Sequence, residues 1–151
     1  MKVHICSKRV MREILDGEGL PERVAVISFY SPKGGEANRI HYDGVADKHF
    51  CIGIPDIDIE ILGDYGYTYE SYLSEADALA KFIYDAKESG YDIICQCDYG
   101  QSRSAACAAA ILQHFEGRGI DIFADYSYYP NQLVYHKIFD ALEKIKGESN
   151  A

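Results

Sequence analysis

Apolar positions along this chain form short, uninterrupted runs that are separated by longer amphipathic stretches. Four runs are rich in β-branched residues, and unbroken apolar character is typical of strands that are buried on both faces of a sheet. Helical patterns lie between and after these runs, which predicts an α/β fold with a central, mostly parallel sheet flanked by helices. The predicted strands are residues 3–6, 23–29, 49–54 and 91–96.

Four stretches have the spacing of apolar residues that is typical of helices. The clearest begins at Ser74, where Ser74 and Asp77 resemble a capping box, and Gly90 provides its stop signal. The helix after the last predicted strand is rich in Ala, so we expect it to pack closely against its neighbours. The other predicted helices are residues 104–115, a segment that starts after Pro130 and Asn131, and a weaker stretch at residues 8–15.

The composition predicts one globular domain that spans residues 1–151, because 48% of the residues are hydrophobic and a chain of this length can form its own core. The 15 basic and 24 acidic residues give a net charge of −9. A chain this acidic lacks the broad cationic face that binds nucleic acid or anionic membranes, so neither is an expected partner. An anionic ligand must therefore be bound by a few donor groups at a local site, because the overall charge of the protein repels it.

The cellular compartment is also indicated by the sequence. Five cysteines form an odd set without a CxxC pair, which favours reduced thiols over a disulfide framework. The first residues contain no apolar signal region, and no stretch approaches the ~20 apolar residues of a membrane span. We therefore expect a cytoplasmic protein.

The five histidines show no metal-ligand spacing with the cysteines, so no metal site is predicted.

One segment combines residue types that often act together on phosphate. It connects the last predicted strand to the Ala-rich helix, and a loop of this length can turn its backbone N–H groups toward one point. Gly100 permits a sharp turn, and Arg103 can place its planar fork on two phosphate oxygens. The dipoles of these converging N–H groups can also lower the pKa of the Cys97 thiol and make it a thiolate nucleophile. The segment reads Cys97-Asp98-Tyr99-Gly100-Gln101-Ser102-Arg103-Ser104.

This segment resembles the active-site loop of cysteine-dependent protein tyrosine phosphatases, specifically the small dual-specificity type found in bacteria. The resemblance extends to Ile54-Pro55-Asp56, which is similar to the acid loop of the family, and to residues 128–131, which are similar to a segment that supports the active-site loop. Between about residues 24 and 142 the order of elements is also similar. The resemblance implies the protein tyrosine phosphatase-like fold.

The resemblance further implies a mechanism without a metal or an organic cofactor. Cys97 would attack phosphorus and form a phosphocysteine intermediate, Asp56 would protonate the leaving group, and Ser104 would help the sulfur to leave. The substrate phosphate would be bound by Arg103 and by the loop backbone. The implied substrate-binding residues are Asp98, Tyr99, Gly100, Gln101, Ser102 and Arg103.

The general acid is not settled by the sequence, because Asp56, Asp58 and Asp64 are all candidates. The Ile-Pro-Asp sequence favours Asp56. The number of residues between Asp64 and Cys97, however, is closer to the spacing of acid and cysteine that is common in the dual-specificity group.

Two residues depart from the family pattern. Gln96 stands where the family usually has His, and Asp98 places a carboxylate beside the thiol, which opposes thiolate formation unless the side chain points away.

Phosphorylated proteins or peptides are the favoured substrates, because residues 98–102 contain no Lys or Arg for a highly anionic headgroup. The enzymatic alternative is a phosphatase for inositol phosphates or nucleic-acid 5′-phosphates. A weakly active phosphate-binding protein is an alternative of another class, motivated by Gln96 and Asp98. A sulfur-transfer enzyme of the rhodanese type, which needs no general acid, is a third and weaker hypothesis.

Overall fold

The computed structural model describes residues 1–149 and is built on a parallel sheet. Its strands are β1 (Val3–Ser7), β2 (Val24–Tyr30), β3 (Lys48–Gly53) and β4 (Asp92–Cys97). Each predicted strand is present, with ends shifted by at most one residue. The strands follow the order β1-β4-β2-β3, and every neighbouring pair is parallel, which confirms the predicted sheet.

The four predicted helices are present, and one further short helix occurs in the described part of the chain. That helix is four residues long, so it has no periodicity from which it could be predicted. The segments between β2 and β3 (residues 31–47) and between β3 and the next helix (residues 54–75) contain short 3-10 turns. No helix within residues 1–149 is both long and apolar enough to cross a membrane. The helices are α1 (Lys8–Asp16), α2 (Ala76–Glu88), α3 (Arg103–Glu116), α4 (Ile120–Phe123) and α5 (Gln132–Ser149).

The predicted capping box at Ser74 is wrong. Helix α2 begins two residues later, and the residue at its N-cap makes no capping hydrogen bond through its side chain. Ser74 Oγ instead donates to the carboxylate of Glu75, at 3.2 Å. A side-chain cap occurs at α5, where Asn131 Oδ1 accepts a hydrogen bond from the amide of Val134 at 2.9 Å.

The apolar runs reflect a sheet with a hydrophobic core on each face. Along β2, Ala25, Ile27 and Phe29 face the larger core, which also contains residues of α2, α3 and α5. The intervening Val24 and Val26 face a smaller core with Met11 of α1. A strand that is buried on both sides has no polar face, which is why its sequence does not alternate.

The parallel arrangement brings the carboxyl ends of all four strands to one edge of the sheet. The residues at or just beyond these ends are Ser7, Ser31, Ile54 and Cys97, which lie far apart in the sequence. Ligands of open parallel sheets bind in a crevice at this edge. The fold therefore places the loop that starts at Cys97 where a binding site is expected.

Candidate active site

The loop between β4 and α3, here called the Cys–Arg loop (residues 97–103), surrounds the sulfur of Cys97 with hydrogen-bond donors. Cys97 ends β4, and its side chain is nearly inaccessible, with 2% exposed. The Ser104 Oγ lies 3.0 Å from the Cys97 Sγ. The backbone amides of Gly100, Ser102 and Ser104 also hydrogen-bond to this sulfur. The converging amides expected from the sequence are therefore present, and their common point is the thiol.

These donors decide the protonation of Cys97. Burial raises the pKa of the thiol, but the Ser104 hydroxyl and the three amides lower it by more, so the pKa lies below that of an ordinary thiol. Elsewhere, burial raises the pKa of Cys6 to about 11 and raises the pKa of Cys95 well above its usual value. The structure therefore favours the thiolate at Cys97 and disfavours it at Cys6 and Cys95.

Titration of the thiolate absorbance near 240 nm tests this arrangement. Because the pKa of Cys97 is lowered, the thiolate should persist as the pH falls below the midpoint of an ordinary thiol, about 8.5. The difference between the wild type and Cys97→Ser isolates this signal. We expect Ser104→Ala to raise the midpoint, since the thiolate loses one donor. A midpoint at or above that of a free thiol would contradict the assigned hydrogen bonds.

Gly100 is required because the loop lies against the end of β1. Its φ is +68°, and an added Cβ would lie 2.7 Å from the amide nitrogen of Ser7 and 2.8 Å from the carbonyl carbon of Cys6. The amide of Lys8 also donates to the Asp98 carbonyl, at 3.2 Å. The junction of β1 and α1 thus supports the Cys–Arg loop from behind.

Arg103, the first residue of α3, is almost fully buried, with 4% exposed. Its Nη1 donates to the carbonyl of Ile54 at 2.7 Å and to Ser31 Oγ at 3.3 Å. Its Nη2 donates to Asp98 Oδ2 at 3.3 Å. Its Nε is buried and has no hydrogen-bond partner among residues 1–149. A buried guanidinium N–H without a partner is costly, and a bound oxyanion would satisfy it.

Asp56 is hydrogen-bonded to the Cys–Arg loop. Its Oδ1 accepts from Ser102 Oγ and from Asn131 Nδ2, each at 2.7 Å. The amide of Asn131 in turn donates to the Ser102 carbonyl at 3.2 Å, and the amide of Tyr129 donates to the Gln101 carbonyl at 2.8 Å. Residues 129–131 therefore link the predicted acid to the loop.

Asp58 and Asp64 occupy different surroundings from Asp56. Asp58 precedes the 3-10 turn Ile59–Ile61, and Asp64 lies within the next turn, Gly63–Tyr65. Both residues are exposed, as Asp56 is too, so exposure does not distinguish the three candidates. Among the three candidates, in the part of the chain that the structure describes, Asp56 alone has a side chain hydrogen-bonded to the Cys–Arg loop.

Gln96, which stands at the position of the usual His, belongs to a buried polar network. Its Oε1 accepts hydrogen bonds from Tyr42 Oη at 2.7 Å and from Ser28 Oγ. Its Nε2 donates to the carbonyl of Cys97 at 3.0 Å. The glutamine side chain is therefore fixed and orients the backbone at the nucleophile. The sequence contained no signal for Tyr42, which lies in a segment without periodic apolar positions.

A groove beside the Cys–Arg loop carries positive side chains, which residues 98–102 of the loop lack. It has a volume of about 630 Å³ and lies between α1 and the loop residues Tyr99 and Gln101. The Tyr99 side chain is 81% exposed at its rim. Acidic residues also line the groove, toward the end of α1 and at Asp98. The cations of its wall are Lys8, Arg9 and Arg12 of α1.

Solved structures of phosphatases match nearly the whole chain. Human DUSP28 superposes with a TM-score of 0.57 at 18% identity, covering 97% of this chain and 94% of that one. PTPMT1 in complex with PI(5)P superposes with a TM-score of 0.59 at 13% identity, covering 98% and 94%. The Cydia pomonella PTP-2 phosphatase gives 0.60 at 12% identity, covering 93% and 85%. The chain has the dual-specificity phosphatase fold.

The predicted fold is thereby confirmed, and the sequence of the chain is far from that of its structural neighbours. No protein-family model and no curated protein matches this sequence. The dual-specificity phosphatase fold accounts for the position of the Cys–Arg loop at the carboxyl edge of the sheet. The roles of individual residues rest on the contacts described above and are taken up as a proposal.

Proposed function

We propose that this protein is a phosphomonoester hydrolase that acts on phosphorylated proteins or peptides through a phosphocysteine intermediate. One observation carries the proposal. The buried Cys97 sulfur accepts hydrogen bonds from Ser104 and from three loop amides, beside an Arg103 whose Nε has no partner among the described residues. This arrangement provides a nucleophile and an oxyanion site together. The proposal treats residues 1–151 as one phosphatase-like domain.

The first step forms the intermediate. The Cys97 thiolate attacks phosphorus, a sulfur–phosphorus bond forms, and the bond from phosphorus to the leaving oxygen breaks. Asp56 supplies the proton that the leaving oxygen accepts. Arg103 and the loop amides bind the remaining phosphate oxygens, on which negative charge is concentrated in the transition state.

The second step releases inorganic phosphate. The Asp56 carboxylate accepts a proton from a water molecule whose oxygen attacks phosphorus, and the sulfur–phosphorus bond breaks. The Ser104 hydroxyl, 3.0 Å from the sulfur, stabilises the departing thiolate. Asp56 is then protonated again and Cys97 is again a thiolate, so the catalyst returns to its starting state.

The general-acid role of Asp56 predicts a loss that depends on the leaving group. We expect Asp56→Asn to lower kcat/KM about 100-fold on phosphotyrosine peptides, whose leaving group needs a proton. The loss on p-nitrophenyl phosphate should stay below about 10-fold, because that leaving group departs as an anion. Steady-state kinetics on both substrates measure the difference. Equal losses on the two substrates would contradict the role.

Matched variants control this experiment. Asp58→Asn and Asp64→Asn make the same chemical change in the same segment, at carboxylates that are not hydrogen-bonded to the Cys–Arg loop. We expect both to retain activity on both substrates. A leaving-group-dependent loss in either variant would transfer the role of the acid to that residue.

The groove beside the loop favours a second candidate, a phosphatase for substrates with several anionic groups such as inositol phosphates. Lys8, Arg9 and Arg12 line this groove. A solved structure with the same fold, PTPMT1, is in complex with PI(5)P. A panel of phosphotyrosine peptides, phosphoserine peptides and inositol phosphates decides between the candidates, with release of inorganic phosphate as the readout. An Arg12→Ala loss confined to inositol phosphates would favour the second.

The proposal of an enzyme is itself tested by turnover of p-nitrophenyl phosphate and phosphotyrosine peptides. Release of phosphate that requires Cys97 supports it. Binding of a phosphopeptide by the wild type without turnover would replace the enzyme with a phosphate-binding protein. A pH profile that is insensitive to all three Asp→Asn variants would favour sulfur-transfer chemistry, which needs no general acid.

A further inference from the structure

Asp98 is a carboxylate inside a loop whose other features suit an anion. It follows the nucleophile directly, and a carboxylate at this position would oppose the thiolate unless its side chain points away. Its side chain is about one quarter exposed and lies among donors. Its Oδ2 accepts from Ser31 Oγ and from Arg103 Nη2, each at 3.3 Å.

These contacts close a ring around the end of the Arg103 guanidinium. Arg103 Nη1 donates to Ser31 Oγ at 3.3 Å, and Ser31 Oγ donates to the same Asp98 oxygen that accepts from Nη2. The carbonyl of Ile54 accepts the second Nη1 hydrogen at 2.7 Å. Three fixed acceptors on one end of a planar group determine the orientation of its plane.

The ring leaves free the edge of the guanidinium that a phosphate needs. Of the five N–H groups of Arg103, two on Nη1 and one on Nη2 are used by these contacts. The Nε hydrogen and the second Nη2 hydrogen remain, and they project in parallel from one edge. Two parallel donors match two oxygens of a tetrahedral oxyanion.

Lys8 offsets the charge of Asp98. Its Nζ lies 3.6 Å from Asp98 Oδ1 and donates to the carbonyl of Asn38 at 3.0 Å. The carboxylate therefore lies between two cations, Lys8 and Arg103. This pairing reduces the repulsion that an isolated carboxylate would exert on a phosphate in the loop.

We infer that Asp98 is a positioning residue, which holds the Arg103 guanidinium with its Nε–Nη2 edge presented to the phosphate. The inference deepens the proposed function and rests on it for the nature of the ligand. For the loss of the Asp98 side chain, the inference predicts a change in oxyanion affinity opposite to the change expected from charge alone. Removal of a nearby negative charge alone would tighten oxyanion binding, whereas loss of the orientation of Arg103 weakens it.

Tungstate binding shows whether oxyanion affinity falls or rises in Asp98 variants, and it requires no catalytic activity. In the Cys97→Ser background, isothermal titration calorimetry would compare Asp98→Ala and Asp98→Asn with their parent. We expect Asp98→Ala to weaken tungstate about 10-fold, because the guanidinium loses a charge-assisted partner. Asp98→Asn keeps an oxygen acceptor and loses the charge, so its Kd should equal or fall below that of the parent. Asp64→Ala is the control, because Asp64 is an exposed carboxylate that lies away from the loop. This variant should bind tungstate with the Kd of the parent.

Unchanged or tighter binding by Asp98→Ala would overturn the inference, as would an Asp98→Asn variant that binds as weakly as Asp98→Ala. A parent that binds no tungstate would overturn it as well. Circular dichroism confirms that each variant is folded; if Asp98→Ala is not, an Asp98→Asn variant that binds tungstate more weakly than its parent would overturn the inference. If the tungstate series behaves as expected while the wild type hydrolyses no phosphomonoester, the positioning role stands and the proposed function fails.

Discussion

Replacement of Cys97 by Ser is expected to lower kcat on p-nitrophenyl phosphate at least about 10,000-fold, the scale on which enzymes lose activity with their nucleophile. The hydroxyl of serine remains protonated at neutral pH, and the donors that hold a thiolate do not activate an alcohol sufficiently. The variant should still bind oxyanions, since Arg103 and the loop amides are unchanged. Steady-state release of p-nitrophenolate, compared with tungstate binding by the same variant, measures both effects.

Cys51→Ser is the matched control for this variant. Cys51 lies on β3 and is half-buried, so the substitution makes the same change of one atom outside the Cys–Arg loop. We expect it to retain wild-type kcat. Activity that survives Cys97→Ser would remove the phosphocysteine intermediate from the proposal, whatever the fold of the chain.

Arg103→Lys is expected to lower kcat/KM about 100- to 1,000-fold although the positive charge is retained, a loss of the size seen when an oxyanion donor is removed. A lysine ammonium cannot place two parallel N–H groups on one phosphate. If its three N–H groups donated to Ile54, Ser31 and Asp98, as the guanidinium does, none would remain for the phosphate. Steady-state kinetics and tungstate affinity report the loss of transition-state and ground-state binding separately.

The contrary result for Arg103→Lys would be near-wild-type kinetics, which would mean that charge alone suffices at this position. Arg9→Lys is the matched control, since the Arg9 side chain is exposed on α1 and pairs with Glu13 at 3.5 Å. We expect Arg9→Lys to leave kcat/KM on p-nitrophenyl phosphate unchanged. A comparable loss in both variants would point to a general sensitivity of the protein to substitution of arginine.

Much of the fold could be predicted because its strands are buried on both faces. Unbroken apolar runs such as that of β2 are hard to mistake once helical patterns separate them. The Cys–Arg loop could be predicted because its residue types are contiguous in sequence. The capping box predicted at Ser74 was wrong for a local reason. The Ser74 hydroxyl donates to the neighbouring Glu75 carboxylate instead of bonding to the backbone of the helix.

The parts of the site that the sequence analysis missed come from distant positions. Ser31 and Lys8 reach Arg103 and Asp98 because each follows the carboxyl end of a parallel strand. Strand order cannot be read from apolar periodicity, so their proximity could not be deduced. A usable signal existed, however: polar residues directly after predicted parallel strands meet at one edge of the sheet.

The strand order has a consequence for the order in which the protein folds. Strand β4 pairs with both β1 and β2, which lie more than sixty residues earlier in the chain. Contacts of such separation form late compared with local helical contacts. Until they form, Gly100 has no β1 to lie against, and the amides are not gathered around the sulfur. A nascent or unfolded chain therefore carries an ordinary, mostly protonated thiol at Cys97, and chemical reactivity arises only when the sheet is complete.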